Sequence, residues 1–354
     1  MCSDDIHDGA SAAGTAPRDI AGDAVDPIEL DPVDEVAITM LMDNSYDGLL
    51  PDAGVAHRFG LLRSHDVASA VMSGGVTKSG LVAEHGFSAL VTTRRANRSH
   101  TVLFDTGISP GGAAENLQRL GLDHSAIETV VLSHGHFDHA GGMEGFARLR
   151  GFERPVVVHP LVWTQRRLAP PGMPEVELPT MSKAALEASG FEVVERRQRS
   201  LVLDRSVLIT GEVDRTTDFE TGMPFQERWN GQSWEPDPLI LDDQALVVNV
   251  RGLGLVVVTG CGHAGAVNIA RYAMRLTGVS RLYGMLGGFH LGGPAFEPII
   301  EPTVSALEAM APSLVVPAHC TGWKAQHRLA AALPDSFVPN AVGTSYRVQA
   351  DQAA

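Results

Sequence analysis

Short β-rich runs alternate with helical patterns along most of this 354-residue chain, and that alternation restricts the folds open to it. Several runs, such as "GLVVVTGC" (254–261), are apolar throughout, which is typical of strands buried on both faces. Strands that alternate with helices predict an α/β architecture with layered sheets. The "RGLG" stretch (251–254) between two such runs predicts a tight hairpin, so we expect the sheets to be mixed.

The same patterns give approximate bounds for each element. We predict strands over 36–43, 87–93, 101–107, 129–135, 155–160, 206–212, 245–250, 254–261, 281–288 and 313–319. We predict helices over 111–121, 140–150, 182–190, 264–277, 300–311 and 324–333.

Charge is unevenly distributed along the chain. Residues 1–35 carry ten acidic side chains and one arginine, so we predict a disordered acidic leader there. Residues 36–350 are predicted to form a single domain with insertions at 45–80 and 213–243. A long connection in a compact domain is often a lid or a binding loop.

Composition excludes several classes of protein. The formal net charge of −15 argues against a nucleic-acid surface, which would need a basic footprint. No apolar run is long enough to span a bilayer, and the N-terminus lacks the layout of a signal peptide. Three cysteines imply no disulfide framework. We therefore expect a cytoplasmic protein that acts on a small molecule, without nucleic-acid or membrane partners; the oligomeric state stays open.

Titratable or metal-binding side chains recur where the predicted strands end, usually beside a glycine. They are Asp105, His134, His136, Glu212, Cys261, His263, His290, His319 and Cys320. Ligands of α/β sheets bind outside the carboxyl ends of the strands, and glycine there allows close approach. This convergence predicts an active site at one sheet edge. The helix predicted over 264–277 begins at the same edge, where its N-terminus could assist an anionic group.

The stretch "VVLSHGHFDHAGG" (130–142) is the densest of these clusters. Side chains two apart on extended chain point the same way, so His134 and His136 can face one ion. Asp138 and His139 follow where the chain turns into a helix, and can face a second ion. Imidazole and carboxylate together suit Zn²⁺, Fe²⁺ or Mn²⁺. A lone His290 is open to three readings: a group behind the ligands, a substrate contact or a packed histidine.

The insertion over 213–243 supplies candidate substrate contacts. Its aromatic side chains, Trp229 among them, could stack on a planar ring, and Arg215 and Arg228 could hold a phosphate or carboxylate. The alternative is that its aromatics simply anchor the loop to the body.

The sequence resembles the metallo-β-lactamase superfamily. "SHGHFDHAGG" matches the HxHxDH motif, and "TVLFDTG" (101–107) matches the strand whose aspartate orients the metal loop. "LMDN" (41–44), "AEHGFS" (83–88), "VVVTGCGHAGAVNI" (256–269), "GGFHL" (287–291) and "PAHCTG" (317–322) resemble the metal-dependent hydrolases grouped with the archaeal dihydropterin–ribofuranosylaminobenzene phosphate synthase. The resemblance implies a four-layer αββα sandwich, with two mixed sheets inside and helices on the outer faces.

The resemblance also implies a ligand set for two divalent transition-metal ions, with Zn²⁺ favoured over Fe²⁺ or Mn²⁺. It assigns His134 and His136 to one ion, and Asp138, His139 and His319 to the other. The usual bridging aspartate is absent, because Gly260 is followed by Cys261. Either Cys261 replaces that carboxylate, or His263 reaches the first metal and no protein bridge exists; His263 is the favoured ligand.

Further residues are candidates for ligands or for support behind them: Asp243, Asp105 and Glu212 in addition to Cys261. Asp138 and His290 are the candidate catalytic residues. The resemblance implies a hydrolase that acts on a small ester, lactone or phosphoester through a metal-bound hydroxide. The alternative is a transferase that joins a dihydropterin to an aminobenzene carbon and releases pyrophosphate.

Overall fold

Successive residues of each central strand alternate between two different hydrophobic cores. In the strand Gly254–Thr259, Val256 and Val258 face one core, while Leu255 and Val257 face another. Because side chains on a strand alternate between its faces, this strand must be covered on both sides. The continuous apolar run read from the sequence therefore corresponds to a strand in the middle of a layered structure.

The computed structural model describes residues 26–350. Its strands are β1 (Glu35–Met42), β2 (Ala56–His57), β3 (Asp66–Ala68), β4 (Val76–Lys78), β5 (Ser88–Arg95), β6 (Arg98–Phe104), β7 (Ile127–Val131), β8 (Pro155–Val158), β9 (Arg166–Leu168), β10 (Val176–Glu177), β11 (Glu192–Glu195), β12 (Ser200–Val202), β13 (Val207–Ile209), β14 (Gln226–Trp229), β15 (Trp234–Pro236), β16 (Ala245–Val250), β17 (Gly254–Thr259), β18 (Leu282–Gly288), β19 (Leu314–Ala318) and β20 (Ser345–Gln349). Its α-helices are α1 (Gly112–Arg119), α2 (Phe137–Ala140), α3 (Met143–Ala147), α4 (Lys183–Ala188), α5 (Ala266–Thr277), α6 (Ile300–Met310) and α7 (Trp323–Ala332).

Two large mixed sheets form the centre of the molecule. One has the strand order β11-β8-β7-β6-β5-β1-β20-β2, and the other has the order β12-β13-β16-β17-β18-β19. The β16–β17 pair is antiparallel, which confirms the hairpin predicted at 251–254, whereas β17, β18 and β19 run parallel. The predicted mixture of parallel and antiparallel strands is thus confirmed.

Three hydrophobic cores hold four layers together. The inner faces of the two sheets meet in one core, which contains Ile38 from β1 and Val248 from β16. The outer face of the second sheet packs on α5, α6 and α7, and the outer face of the first packs on α1, α3 and α4. This is the helix–sheet–sheet–helix arrangement that the resemblance implied.

One predicted helix is shorter than expected. Of the span 140–150 only α3 (Met143–Ala147) is well covered, and Gly141 and Gly142 separate it from α2 (Phe137–Ala140), which precedes it. A Cβ at either glycine would collide with backbone oxygens, those of Ile108 and Thr106. The glycines therefore let this turn pack against the neighbouring loop, and that close approach interrupts the helix.

Both predicted insertions contain strands of their own. Over 213–243, β14 and β15 form a hairpin that joins β9 and β10 in a four-stranded sheet. Over 45–80, β2 extends the first sheet and β3 pairs with β4. Among the described helices, none combines the length and the apolar character that crossing a membrane requires.

The prediction of a disordered leader needs correction at its C-terminal end. Residues 1–25 lie outside the described residues, but 26–35 pack on the body. Leu30 and Val33 are buried, and Val33 forms a β-bridge with Val250. Several of the acidic residues pair with arginines, as Glu35 does with Arg94. Average composition over 1–35 conceals these two apolar anchors.

Leu30→Ala is therefore expected to destabilise the protein by about 2 kcal/mol, because it removes a side chain buried in the core beside α5. Leu62→Ala is the matched control, since Leu62 is 95% exposed while Leu30 is 6% exposed. Urea unfolding of both variants measures the difference. Equal stabilities of the two variants would show that 26–35 contributes nothing to the fold.

Candidate metal centre

The ends of four strands from both large sheets bring histidines to one edge of the sandwich. β7 leads to His134, β17 to His263, β18 to His290 and β19 to His319. Of these, His134, His263 and His319 are buried, and His290 is half-buried. The convergence of strand ends predicted from the sequence is therefore present in the fold.

The first cluster consists of three buried histidines. His134 Nε2 lies 2.9 Å from His136 Nδ1 and 3.2 Å from His263 Nε2. One ligand atom from each residue lies within 4.8 Å of the others. Three ring nitrogens that converge in a buried space fit a single cation, which would accept all three lone pairs. The structure thus places His263 with His134 and His136, as the sequence analysis predicted for a ligand of the first metal.

Burial keeps the rings of this cluster neutral. It lowers the pKa of His134 and His263 well below the ordinary histidine value. Burial, assisted by the charge of Arg166, lowers the pKa of His136 to about 3. A neutral imidazole has the free lone pair that metal binding requires.

The second cluster has mixed donors. His139 Nε2 lies 3.1 Å from Cys261 Sγ and 3.2 Å from His319 Nε2. Asp138 Oδ2 lies 3.3 Å from His319 Nε2. Carboxylate, imidazole and thiol together suit a divalent transition metal. Asp138, His139 and His319 come together as the resemblance implied.

The position of Cys261 differs from the favoured interpretation of the sequence. There, His263 and Cys261 were treated as competing candidates, with Cys261 the less favoured ligand. The structure instead groups His263 with the first cluster and Cys261 with the second, and the ligand atoms of these two residues also lie within 4.8 Å of each other and of His290. Cys261 and His263 are two residues apart and would point the same way on an extended chain. They reach different clusters because Gly262 between them adopts a left-handed backbone conformation, with φ of +70°.

Asp105 supports the second cluster without joining it. Its Oδ2 lies 2.6 Å from His139 Nδ1, and it also accepts hydrogen bonds from the amide and hydroxyl of Ser133. Burial opposes protonation of His139, but the carboxylates of Asp105 and Asp138 outweigh it and raise the pKa of His139 to about 9. A metal ion at the second cluster would therefore have to displace the proton from His139 Nε2, while the Nδ1 proton stays hydrogen-bonded to Asp105.

The loop that carries His319 is held by two residues that sequence reasoning did not assign. Asp43 Oδ1 accepts a hydrogen bond of 2.7 Å from the His319 amide. The side chain of Asn44 donates to the His319 carbonyl oxygen at 2.9 Å. Both belong to the "LMDN" stretch at the end of β1. An acidic residue directly after a strand was the sequence feature that could have identified Asp43 as a site residue.

A buried ion pair supports the loop between His134 and His136. The Gly135 amide donates to Asp242 Oδ2 at 2.8 Å, and Arg166 donates to both oxygens of Asp242. Arg166 also contacts Asp237, and all three side chains are buried. Asp237 and Asp242 belong to the 213–243 insertion and Arg166 to β9, so these contacts tie the insertion and the small sheet to the loop that carries His134 and His136. Sequence reasoning missed them because the partners are far apart along the chain.

Arg166→Met is expected to cost about 3–5 kcal/mol of stability, because it leaves the carboxylate of Asp242 buried without its partner. Arg228→Met is the matched control in the same sheet, since Arg228 forms a partly exposed pair with Glu235 and should lose much less. Thermal unfolding distinguishes the two. A similar small loss in both variants would contradict the role given to Arg166.

Asp243 lies beside this pair but outside both clusters. Its Oδ2 accepts a hydrogen bond of 2.8 Å from the Ala264 amide, and burial raises its pKa to about 7. It therefore holds the loop that carries His263 and is not placed as a ligand. Glu212, the other acidic candidate, contacts His159 and Arg197 instead of a cluster residue.

The candidate substrate contacts of the 213–243 insertion have other partners. Arg215 donates to the carbonyl oxygens of His263 and Leu239, so it fastens the loop behind the first cluster. Arg228 pairs with Glu235, and the Trp229 ring packs against Trp234 at 5.6 Å. The substrate roles predicted for these three side chains are not supported by their contacts.

The N-terminus of α5 is also occupied by the protein itself. Glu220 accepts hydrogen bonds from the amides of Val267 and Asn268, each at 2.8 Å. Its carboxylate therefore takes the position expected for an anionic substrate group. These two amides are therefore not free to assist an anionic substrate group, as the sequence analysis had expected of this helix end.

His290 lies at the mouth of the first cluster. Its ring is 4.2 Å from the His263 ring and packs against the edge of Phe296. It lines a small cavity together with Met223 and Ile299. One of its ring nitrogens also comes within 4.8 Å of Cys261 Sγ and a His263 nitrogen. This position fits a substrate contact at the edge of the centre.

Comparison with known proteins agrees with this geometry. The family model of the metallo-β-lactamase superfamily matches residues 83–267, just over half of the chain. A solved structure described as a metal-dependent hydrolase of the β-lactamase superfamily has 25% identity and a TM-score of 0.66. It covers 89% of this chain and 100% of its own.

Two proteins of Methanocaldococcus jannaschii are similar in sequence. One, named 7,8-dihydropterin-6-methyl-4-(β-D-ribofuranosyl)-aminobenzene-5′-phosphate synthase, is 27% identical over 72% of this chain and 86% of its own length. The other, an uncharacterized protein, is 28% identical over 74% of this chain and 92% of its own length. The family model, the four-layer fold and the two donor clusters lead to one conclusion: the chain is an enzyme that belongs to the metallo-β-lactamase superfamily.

Proposed function

We propose that this protein is a metal-dependent hydrolase of small esters, lactones or phosphoesters, with two divalent transition-metal ions, Zn²⁺ first among them. The observation that carries the proposal is the pair of adjacent donor clusters. The His134 ring of the first lies 4.3 Å from the His139 ring of the second. Seven buried donors at this spacing supply two neighbouring sites.

When bound, the ions would supply Lewis acidity and would lower the pKa of a bound water from its bulk value towards about 7. The protein's own residues supply position. Asp105, Asp43 and Asp242 each fix one ligand-bearing loop by hydrogen bonds to its backbone or ring nitrogens. Such support keeps the donors in place, and losing it typically costs about 10–100-fold in metal affinity.

Asp138 and His290 are the side chains proposed to act on the substrate. Asp138 is the only carboxylate within the two ligand clusters of the described residues, so its oxygens can accept a proton there. His290 stands beside the first cluster, where its ring can contact a bound substrate.

The alternative is a synthase. It is favoured by the named M. jannaschii relative, which matches over most of its own length. In that reading the metal ions bound by the same donors would hold the pyrophosphate leaving group while an aminobenzene carbon attacks a dihydropterin. The ligand clusters suit either chemistry, because both need metal ions beside oxygen atoms that develop negative charge.

The experiment combines metal analysis with a substrate panel. Protein purified without chelator is expected to carry about two transition-metal ions per chain and to hydrolyse p-nitrophenyl phosphodiesters or lactones. Chelator treatment should remove the activity, and added Zn²⁺ or Mn²⁺ should restore it. Pyrophosphate release from a dihydropterin pyrophosphate that requires an aminobenzene acceptor, with no hydrolysis of the panel, would replace the hydrolase by the synthase. Absence of metal would overturn both.

A further inference from the structure

His85 belongs to neither cluster but lies beside the second one. The His85 side chain is 65% exposed, and its Nε2 lies 3.8 Å from Asp138 Oδ2. Its ring centre is 4.7 Å from that of His319. A separation of 3.8 Å is too long for a hydrogen bond, so Asp138 does not take up the His85 donor.

The segment that carries His85 is anchored on both sides. Glu84 Oε1 accepts hydrogen bonds of 2.9 Å from the amides of Ile108 and Ser109. The Phe87 amide donates to the Asp138 carbonyl oxygen at 3.2 Å. A Cβ at Gly86 would lie 2.9 Å from that same oxygen, so the backbone is in close contact there. The backbone that carries the exposed imidazole is thus held at a fixed place beside the centre.

The other side of the centre has a matching feature. His290 lies against His263 of the first cluster, as His85 lies against His319 of the second. A substrate that spans both clusters would therefore meet an imidazole at each end. The guanidinium of Arg215 donates to backbone carbonyl oxygens, so it does not supply a cation for a substrate beside the first cluster.

We infer that His85 is a substrate-binding residue that donates a hydrogen bond to an anionic oxygen, of a phosphoryl or carboxylate group, held beside the second cluster. This inference rests on the proposed function, since it assumes that the two clusters hold metal ions. His85 contributes to substrate binding and not to metal binding, because its ring lies outside both ligand groups. Hydrogen bonds to charged groups are among the stronger ones.

The test measures binding of two simple anions to the zinc-loaded protein by calorimetry. Inorganic phosphate and acetate are the probes, so the two arms separate a phosphoryl from a carboxylate preference. His85→Ala should keep the metal content of the wild type and weaken the preferred anion by about ten- to a hundredfold. His85→Gln, which keeps an N–H donor, should recover part of the loss. His327→Ala, at an exposed histidine of α7, is the matched control and should bind as the wild type does.

Unchanged anion affinity in His85→Ala would overturn the inference. So would a loss of metal in that variant, which would make His85 a support for Asp138. A zinc-loaded wild type that binds neither anion would also overturn it. None of these results affects the hydrolase proposal, which depends on metal content and on turnover of the substrate panel.

Discussion

His263→Ala is expected to reduce the metal content from about two ions per chain to about one, and to lower turnover by at least about 10²-fold. The nitrogen of His263 faces His134 within the buried first cluster, so its loss leaves two donors where three converge. Removing a residue that only orients a ligand already costs about 10–100-fold in metal affinity, and a ligand itself should cost more. Elemental analysis and turnover are measured on the same sample.

The matched control for this variant is His159→Ala. His159 is as deeply buried as His263, but its ring contacts Glu212 and lies outside both clusters. It should lower stability while both ions remain. Two ions in His263→Ala would exclude His263 as a ligand.

Cys261→Ser is expected to weaken the second site selectively, because it removes one of that site's four donors. The Cys261 sulfur lies 3.1 Å from His139 Nε2, and a hydroxyl is a far weaker ligand for zinc than a thiolate. We expect at least about 10²-fold weaker binding of the second ion, again more than the loss of an orienting residue. The first ion should remain, because its three donors are histidines. Zinc titration with a competing chelator resolves the two sites.

Cys320→Ser provides the control for the thiol. Cys320 adjoins His319, and its Sγ contacts the Cys261 carbonyl oxygen at 3.3 Å, yet it lies outside the second cluster. It should retain both ions. An unchanged zinc affinity of the second site in Cys261→Ser would show that the Cys261 thiol packs behind the site and is not a ligand.

The layered fold and the donors were predictable because both depend on local patterns. Apolar runs such as 254–261 show strands buried on both faces, and His134 and His136 are two residues apart in one motif. The absence of an aspartate after Gly260 was also visible. The sequence could not predict that Cys261 and His263 reach different clusters, because this depends on the φ angle of Gly262 between them.

The supporting residues were hidden for a different reason. Asp242 reaches Gly135 across more than a hundred positions of sequence, and Glu220 reaches α5 from the preceding insertion. Such partners are chosen by the folded geometry, and their residue types are ordinary on any surface. The anchors at Leu30 and Val33 were missed because composition was averaged over an acidic stretch.

X-ray diffraction from crystals of the zinc-loaded protein, recorded at the zinc absorption edge, tests the central claim most directly. The account predicts two anomalous peaks per chain. One should lie about 2.0–2.1 Å from ring nitrogens of His134, His136 and His263. The other should lie at binding distance from Asp138, His139, Cys261 and His319. No peak at this edge of the sandwich, or a single peak bound by other residues, would contradict the account.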